Sequence, residues 1–262
     1  MSNANDFEIK RGILKKYTGS ADVVVIPEKV VEIGEGAFRH CHELTKIVIP
    51  EGVKKIRDHA FRECWKLCEI TLPSTLEFIG NGAFMLCALS EIEIPDGVIT
   101  IDDHAFSENE IKRITISQSV KTIGTRAFNY IGDMWMPKSG LEEVTVLSDA
   151  LKIGTKAFPQ DDGVRFYAPN AALSCFPTEN KRQIITTYLT GEKEYSPKRV
   201  EDYKKYINRT DDLIGLYMET SNTQALGKLL QIKTKVNLEK IDGYINDAGE
   251  NAEIKGLLIA FK

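Results

Sequence analysis

The dipeptide Ala-Phe returns six times along the chain, at Ala37-Phe38, Ala60-Phe61, Ala83-Phe84, Ala105-Phe106, Ala127-Phe128 and Ala157-Phe158. The first five copies are spaced 23, 23, 22 and 22 residues apart, and the last step is 30. Other features keep the same period. Ile-Pro or Leu-Pro recurs at Ile26-Pro27, Ile49-Pro50, Leu72-Pro73 and Ile94-Pro95. Val-x-x-Ile-Gly occurs at Val30 to Gly34 and Val120 to Gly124, with looser copies at Val53 to Ile56 and Val98 to Ile101. Several features sharing one period define a tandem repeat, which constrains the fold more than any bulk property of the chain.

Each unit has one physical plan. Leu44-Thr-Lys-Ile47-Val-Ile49 alternates with period two, the pattern of a half-buried strand, and Pro50 then ends it because proline donates nothing to a ladder. Val53, Ile56, Ala60 and Phe61 turn back toward a core that no single unit completes, so neighbouring units must stack. Parallel strands about 4.8 Å apart would then line one face. The expected fold is an α/β repeat, a right-handed leucine-rich-repeat solenoid of about six units of 22–23 residues.

The consensus Leu-x-x-Ile-x-Ile-Pro-x-x-Val-x-x-Ile-Gly-x-x-Ala-Phe-x-x-Cys resembles the BspA-type leucine-rich repeat of bacterial proteins. Phe7 to Gly19 is similar to that family's N-terminal cap, and Val164-Arg-Phe166-Tyr167-Ala-Pro169 to its closing strand. The resemblance spans roughly residues 7 to 170. The fifth unit departs from it, with Ser117 in place of proline and extra residues over Asn129 to Gly140.

After Pro177 the strand pattern gives way to helical spacing. A helix is expected over Thr178 to Thr190, stopped by Gly191. A second is expected from Ser196-Pro197, a capping serine followed by proline at the first helical position. Asp211 to Glu219, Thr223 to Gln231, Asn237 to Asp247 and Asn251 to Phe261 follow as short amphipathic helices. Leu213, Leu226, Leu229 and Leu230 recur 28 positions later as Ile241, Ile254, Leu257 and Leu258, which predicts two helical hairpins in tandem. These resemble ankyrin-like helix pairs without the Thr-Pro-Leu-His signature. The expected division is a solenoid with its cap over 1–177 and an α-helical hairpin region over 178–262.

Charge and composition exclude several classes. With 34 basic and 38 acidic residues the formal charge is −4, which gives no basic surface for nucleic acid. No run of 18 apolar residues exists to cross a membrane. Met1 to Glu8 is polar and acidic, unlike a signal peptide, so the chain as given is expected to be cytoplasmic. It would be extracellular if a leader had been removed.

Candidate chemistry is sparse. Cys41, Cys64 and Cys87 each follow a repeat phenylalanine by three residues and should stack as a column of core thiols. Five cysteines without paired spacings argue against a disulfide framework, Cys64-x-x-x-Cys68 included. His59 and His104 share a slot two units apart, roughly 10 Å by strand spacing, too far to share a metal. His40 and His42 flank Cys41 on an expected solvated turn, and no metal or other cofactor is assigned. Gly34, Gly80, Gly124 and Gly154 occupy one slot, expected to need either a positive φ or close backbone approach. No nucleophile elbow, phosphate loop or zinc-protease motif occurs.

The open strand face is the remaining candidate. Alternation predicts one exposed row of Val23, Lys46, Glu69, Glu91, Arg113 and Glu143. A second would hold Val25, Val48, Thr71, Glu93, Thr115, Thr145 and Arg165. Glu69, Glu91 and Glu93 would form an acidic centre between Lys46 and Arg113, suited to a basic or polar segment of a partner. The same charges also describe a solvated face that keeps the protein soluble. Trp135, within Met134-Trp-Met136, is either a protruding apolar contact or a cover for the core. The expectation is a non-catalytic scaffold that binds a protein partner through the strand face, the helical tail or both, with the oligomeric state left open. A cell-surface or secreted adhesin is the alternative, and an enzyme with a site between solenoid and tail a third.

Overall fold

The computed structural model describes residues 4–130, 140–159, 163–191, 193–210, 212–234 and 238–262. It divides into two compact units, Met1–Asn180 and Lys181–Lys262. The first is a β-solenoid in which every coil contributes one strand to each of two faces. One face is an eight-stranded sheet in the order β1 (Phe7–Lys10), β2 (Ile13–Tyr17), β4 (Glu32–Ile33), β6 (Lys55–Ile56), β8 (Phe78–Ile79), β10 (Thr100–Ile101), β12 (Thr122–Ile123) and β14 (Lys152–Ile153). β1 and β2 form an antiparallel hairpin, and every later pair is parallel. The hairpin is the segment whose sequence is similar to the family's cap.

The other face carries longer strands: β3 (Val23–Val25), β5 (Lys46–Val48), β7 (Glu69–Thr71), β9 (Glu91–Glu93), β11 (Arg113–Ile116), β13 (Glu143–Val146) and β15 (Arg165–Tyr167). These do not make one continuous sheet. β3-β5-β7 and β9-β11-β13-β15 are separate ladders, and β7 does not pair with β9. The interruption falls where the repeat shortens. Phe38 to Leu44 and Phe61 to Leu67 are six positions apart, whereas Phe84 to Leu89 and Phe106 to Ile111 are five. The turn leading into β9 therefore has one residue fewer than the turns leading into β5 and β7.

The repeat phenylalanines form the core. Phe38, Phe61, Phe84, Phe106 and Phe158 are at most 1% exposed and Phe128 is 6%. Their rings stack in sequence from Phe38 to Phe158, with centroids 4.9–5.4 Å apart and planes within 14° of parallel. That spacing follows the rise of one coil. Tyr17 of the cap continues the stack at 5.0 Å, and Phe166 closes the far end edge-on to Phe158 at 89°.

Beside this stack runs the cysteine column. Cys64 Sγ donates to the Phe38 carbonyl at 3.1 Å and Cys87 Sγ to the Phe61 carbonyl at 3.2 Å. All five cysteines are free thiols. The fourth unit replaces cysteine with Asn109, buried, whose Nδ2 donates to the Phe84 carbonyl at 2.7 Å and whose Oδ1 accepts from Leu89 N at 3.1 Å.

Gly34, Gly80, Gly124 and Gly154 are required by close approach. A Cβ at Gly124 would lie 2.3 Å from Asp103 N of the preceding coil, and one at Gly154 would lie 2.4 Å from Thr125 N. Positive φ occurs two residues later, in a column of Gly36, His59, Gly82, His104, Arg126 and Lys156 with φ between 54° and 59°. The paired histidines thus mark a left-handed turn.

The second unit is helical. The helices of this part of the chain are α1 (Thr178–Thr190), α2 (Pro197–Arg209), α3 (Asp212–Glu219), α4 (Thr223–Ile232), α5 (Leu238–Asp247) and α6 (Ala252–Phe261). Ser196 caps α2 with Pro197 at its first position, while Asn222 and Asn251 cap α4 and α6. α3 packs on α4, α5 on α6, and α4 on α6. This is the tandem hairpin arrangement that the 28-residue recurrence implies: Leu213, Leu226, Leu229, Ile241, Ile254 and Leu258 are all at most 2% exposed. Tyr188, Tyr195 and Tyr203 meet edge to face with centroids 5.2–5.5 Å apart. Lys233 is buried with Nζ on the Ile207 and Thr210 carbonyls at 3.1 and 3.3 Å, closing the end of α2.

Candidate functional site

The longer-stranded face presents one side chain outward and the next inward. Val24, Ile47, Ile114 and Val144 point into the core and are at most 2% exposed. Lys46, Glu69, Thr71, Glu91, Glu93 and Arg113 are exposed, and Glu143 is half-buried. The register aligns Val23, Lys46 and Glu69 in one row, and Val25, Val48 and Thr71 in another. Beyond the interruption Glu91 aligns with Arg113, Glu143 and Arg165, and Glu93 with Thr115, Thr145 and Tyr167. Arg165 therefore stands in the row of Glu143, not in the row of Thr145 where the alternation had placed it. Trp135 lies outside the described residues.

The expected acidic centre divides across the interruption. Glu69 belongs to the first ladder and accepts from Lys46 Nζ at 2.7 Å. That bond and the carboxylate charge hold the Lys46 ammonium above the ordinary lysine value. Glu143 faces Arg165 at 3.3 Å, and Glu142 faces Arg113 at 3.7 Å. Glu91 and Glu93 have no ion pair among the described residues. They rim an open cleft of about 580 Å³ whose lining also includes Ile70, Ile92 and Arg113.

Ile70 and Ile92 were not foreseen as part of this face, because their alternation assigns them to the core. The interruption partly uncovers them. Ile70 is half-buried and Ile92 is 9% exposed, against 0% for Ile47 and 2% for Ile114. The sequence signal was the step from 23- to 22-residue spacing. A second opening extends along the same interruption past Thr71, Ser74 and Asp96. There Glu51 is held by Ser74 N and Oγ at 3.0 Å each, which lowers its carboxyl below the usual range.

Elsewhere on the solenoid, His40 Nδ1 faces Glu63 at 3.0 Å, and His42 stacks on the exposed Trp65 ring at 4.3 Å and 5°. No group of three His, Cys, Asp or Glu side chains among the described residues is placed to hold a metal ion. No described helix is long and apolar enough to cross a membrane.

Comparison with known proteins agrees with this architecture. Residues 8–134 match the BspA type leucine rich repeat region in six copies. Among curated proteins none matches. Among solved structures, a leucine rich repeat protein of T. pallidum is 25% identical, with a TM-score of 0.50 over 74% of this chain and 99% of that one. The pneumococcal vaccine antigen PcpA is 21% identical, with a TM-score of 0.52 over 72% of this chain and 45% of that one. The repeat-bearing part of this chain is a BspA-type leucine-rich-repeat region, built on the fold of bacterial leucine-rich-repeat proteins.

Proposed function

We propose that this protein is a non-catalytic scaffold that binds a protein partner through the longer-stranded face of the solenoid. One observation carries the reading. The row of ion-paired side chains on that face is interrupted once, and there two unpaired carboxylates border partly uncovered core side chains. Paired charges on a strand face are satisfied without a ligand, whereas unpaired carboxylates beside exposed aliphatic groups offer both attraction and apolar contact. The repeat family supports the same reading, since solenoids present extended surfaces of this kind.

The test is affinity capture from lysate of the source cells, comparing wild type with the triple variant Glu69→Lys, Glu91→Lys, Glu93→Lys. A partner held by wild type and lost by the variant is the expected result, because charge reversal opposes an electrostatically matched contact. A partner held equally by both moves the binding surface elsewhere and overturns the assignment to this face.

A further inference from the structure

The interruption between β7 and β9 has a defined shape. β7 pairs only with β5 and β9 only with β11, so each presents one unpaired strand edge to the opening. Before the strands, the coils are joined by Ala88 N donating to the Leu67 carbonyl at 3.0 Å. After them, Ile99 N and Thr100 N donate to the Glu77 carbonyl at 2.9 and 3.3 Å. The opening is therefore a closed-ended slot within an otherwise zipped solenoid. Its volume of about 580 Å³ falls within the ~300–1,000 Å³ typical of binding sites.

Three features of the slot select the same kind of occupant. Main-chain groups on an unpaired strand edge are satisfied by an extended peptide, the mode called strand addition. Glu91 and Glu93 stand two residues apart on β9 and project to the outer face, with Ile92 between them directed inward. A chain extended beside β9 repeats that alternation, since successive side chains point to opposite faces. Two residues flanking the carboxylates would then be on the outside, and the residue between them would enter the slot against Ile92 and Ile70. Opposite charges and aliphatic pairs at facing positions favour such an alignment.

We propose that the slot takes an extended segment of a protein partner with the pattern basic–aliphatic–basic, added beside β9. The two cations meet Glu91 and Glu93, and the aliphatic side chain fills the gap between Ile92 and Ile70. This proposal rests on the reading of the longer-stranded face as a protein-binding surface, and it names the segment and the place. Glu69 does not take part, because Lys46 already occupies it. Arg113, 3.7 Å from Glu142, borders the slot and disfavours a third cation at that end.

The probe is a fluorescein-labelled peptide, Gly-Ser-Lys-Val-Lys-Val-Lys-Ser-Gly, titrated into the full chain by fluorescence anisotropy. Its counterparts replace every Lys by Glu, or every Val by Ser, or carry N-methyl groups on alternate amides. The Lys-Val peptide is expected to bind at least tenfold more tightly than each counterpart. The double variant Glu91→Gln, Glu93→Gln is expected to lose tenfold or more, whereas Glu28→Gln, on an exposed turn, leaves binding unchanged. Bound peptide should also slow amide exchange within Glu69–Thr71 and Glu91–Glu93. Equal binding of Lys-Val and Glu-Val peptides, indifference to the double variant, or no binding at all overturns the proposal. A natural partner that survives Glu91→Gln, Glu93→Gln but is lost with Thr115→Arg, Thr145→Arg overturns the slot and leaves the scaffold reading standing. A partner untouched by every face variant defeats both.

Discussion

Lys46 reaches one rung along the solenoid to Glu69, Nζ to Oε2 at 2.7 Å, and no equivalent cation reaches Glu91 on the next coil. The reason is the ladder itself. Facing residues interact when their strands pair, and the register that brings Lys46 beside Glu69 ends at β7. One missing residue in the turn before β9 thus coincides with a change from a paired face to an unpaired one.

The stacked phenylalanines set the stability of the solenoid. Phe84 is 0% exposed and lies between Phe61 at 5.0 Å and Phe106 at 5.2 Å. Replacing it with alanine leaves a cavity and removes two stacked contacts, for an expected loss of about 3–5 kcal/mol in denaturant unfolding. Trp65, 57% exposed, is the control. Trp65→Ala should change stability by no more than ~0.5 kcal/mol. Comparable losses at both positions would contradict the role given to the stack.

Asn109 ties the third coil to the fourth. Its amide donates to the Phe84 and Phe106 carbonyls and accepts from Leu89 N, all in buried surroundings. Asn109→Ala orphans these groups, at about 1–3 kcal/mol for each one left unsatisfied. Urea melts should show a loss of about 3 kcal/mol. Hydrogen exchange should accelerate first at Leu89, and a variant with wild-type exchange there would refute the tie.

The cysteine column gives a pH dependence with a definite sign. Burial pushes the Cys41 thiol up to about 11 and Cys87 up to about 12, and raises Cys64 in the same direction. A group whose folded pKa is raised contributes full stability below its unfolded value, roughly 8.5 for a thiol, and loses it as pH rises toward the folded value. Unfolding free energy should therefore decline between about pH 8.5 and the folded values. The double variant Cys64→Ala, Cys87→Ala should show a shallower decline, and an unchanged slope would contradict the assignment. In native buffer a disulfide reagent should react first with the exposed Cys68, and with Cys64 and Cys87 only after unfolding.

In the helical unit, Lys233 is a buried cation satisfied by the last carbonyls of α2. Lys233→Met keeps the aliphatic stem and removes the donors. The expected loss is about 1–3 kcal/mol, with faster amide exchange near Ile207 and Thr210. No change in exchange at that helix end would show that the ammonium does not close it.

Much of this was legible in the sequence because a repeat reports its own geometry. The Ala-Phe period yields the phenylalanine stack, the Cys41, Cys64 and Cys87 spacing yields the thiol column, and Ser196-Pro197 yields the start of α2. Other features depend on relations between coils. Gly34 and Gly124 could be tied to a tight position from sequence, but only neighbouring backbone shows that close approach, not φ, is the cause. Arg165 was placed one row off because the insertion before β13 breaks the count between units. Ile70 and Ile92 read as core in any single repeat, and only the failed pairing of β7 with β9 uncovers them. Lys233 carries no local signal at all, since the carbonyls that hold it are more than 20 residues away in the chain.

The most direct test of the scaffold account is site-specific photo-crosslinking in source-cell lysate. A benzophenone side chain would be placed singly at Glu93 and Thr115 on the longer-stranded face, and at Lys55 and Lys121 on the solenoid's other side. The account predicts one and the same partner captured from Glu93 and Thr115 and from neither lysine position. Capture from Lys55 and Lys121 with none from Glu93 or Thr115 would contradict it.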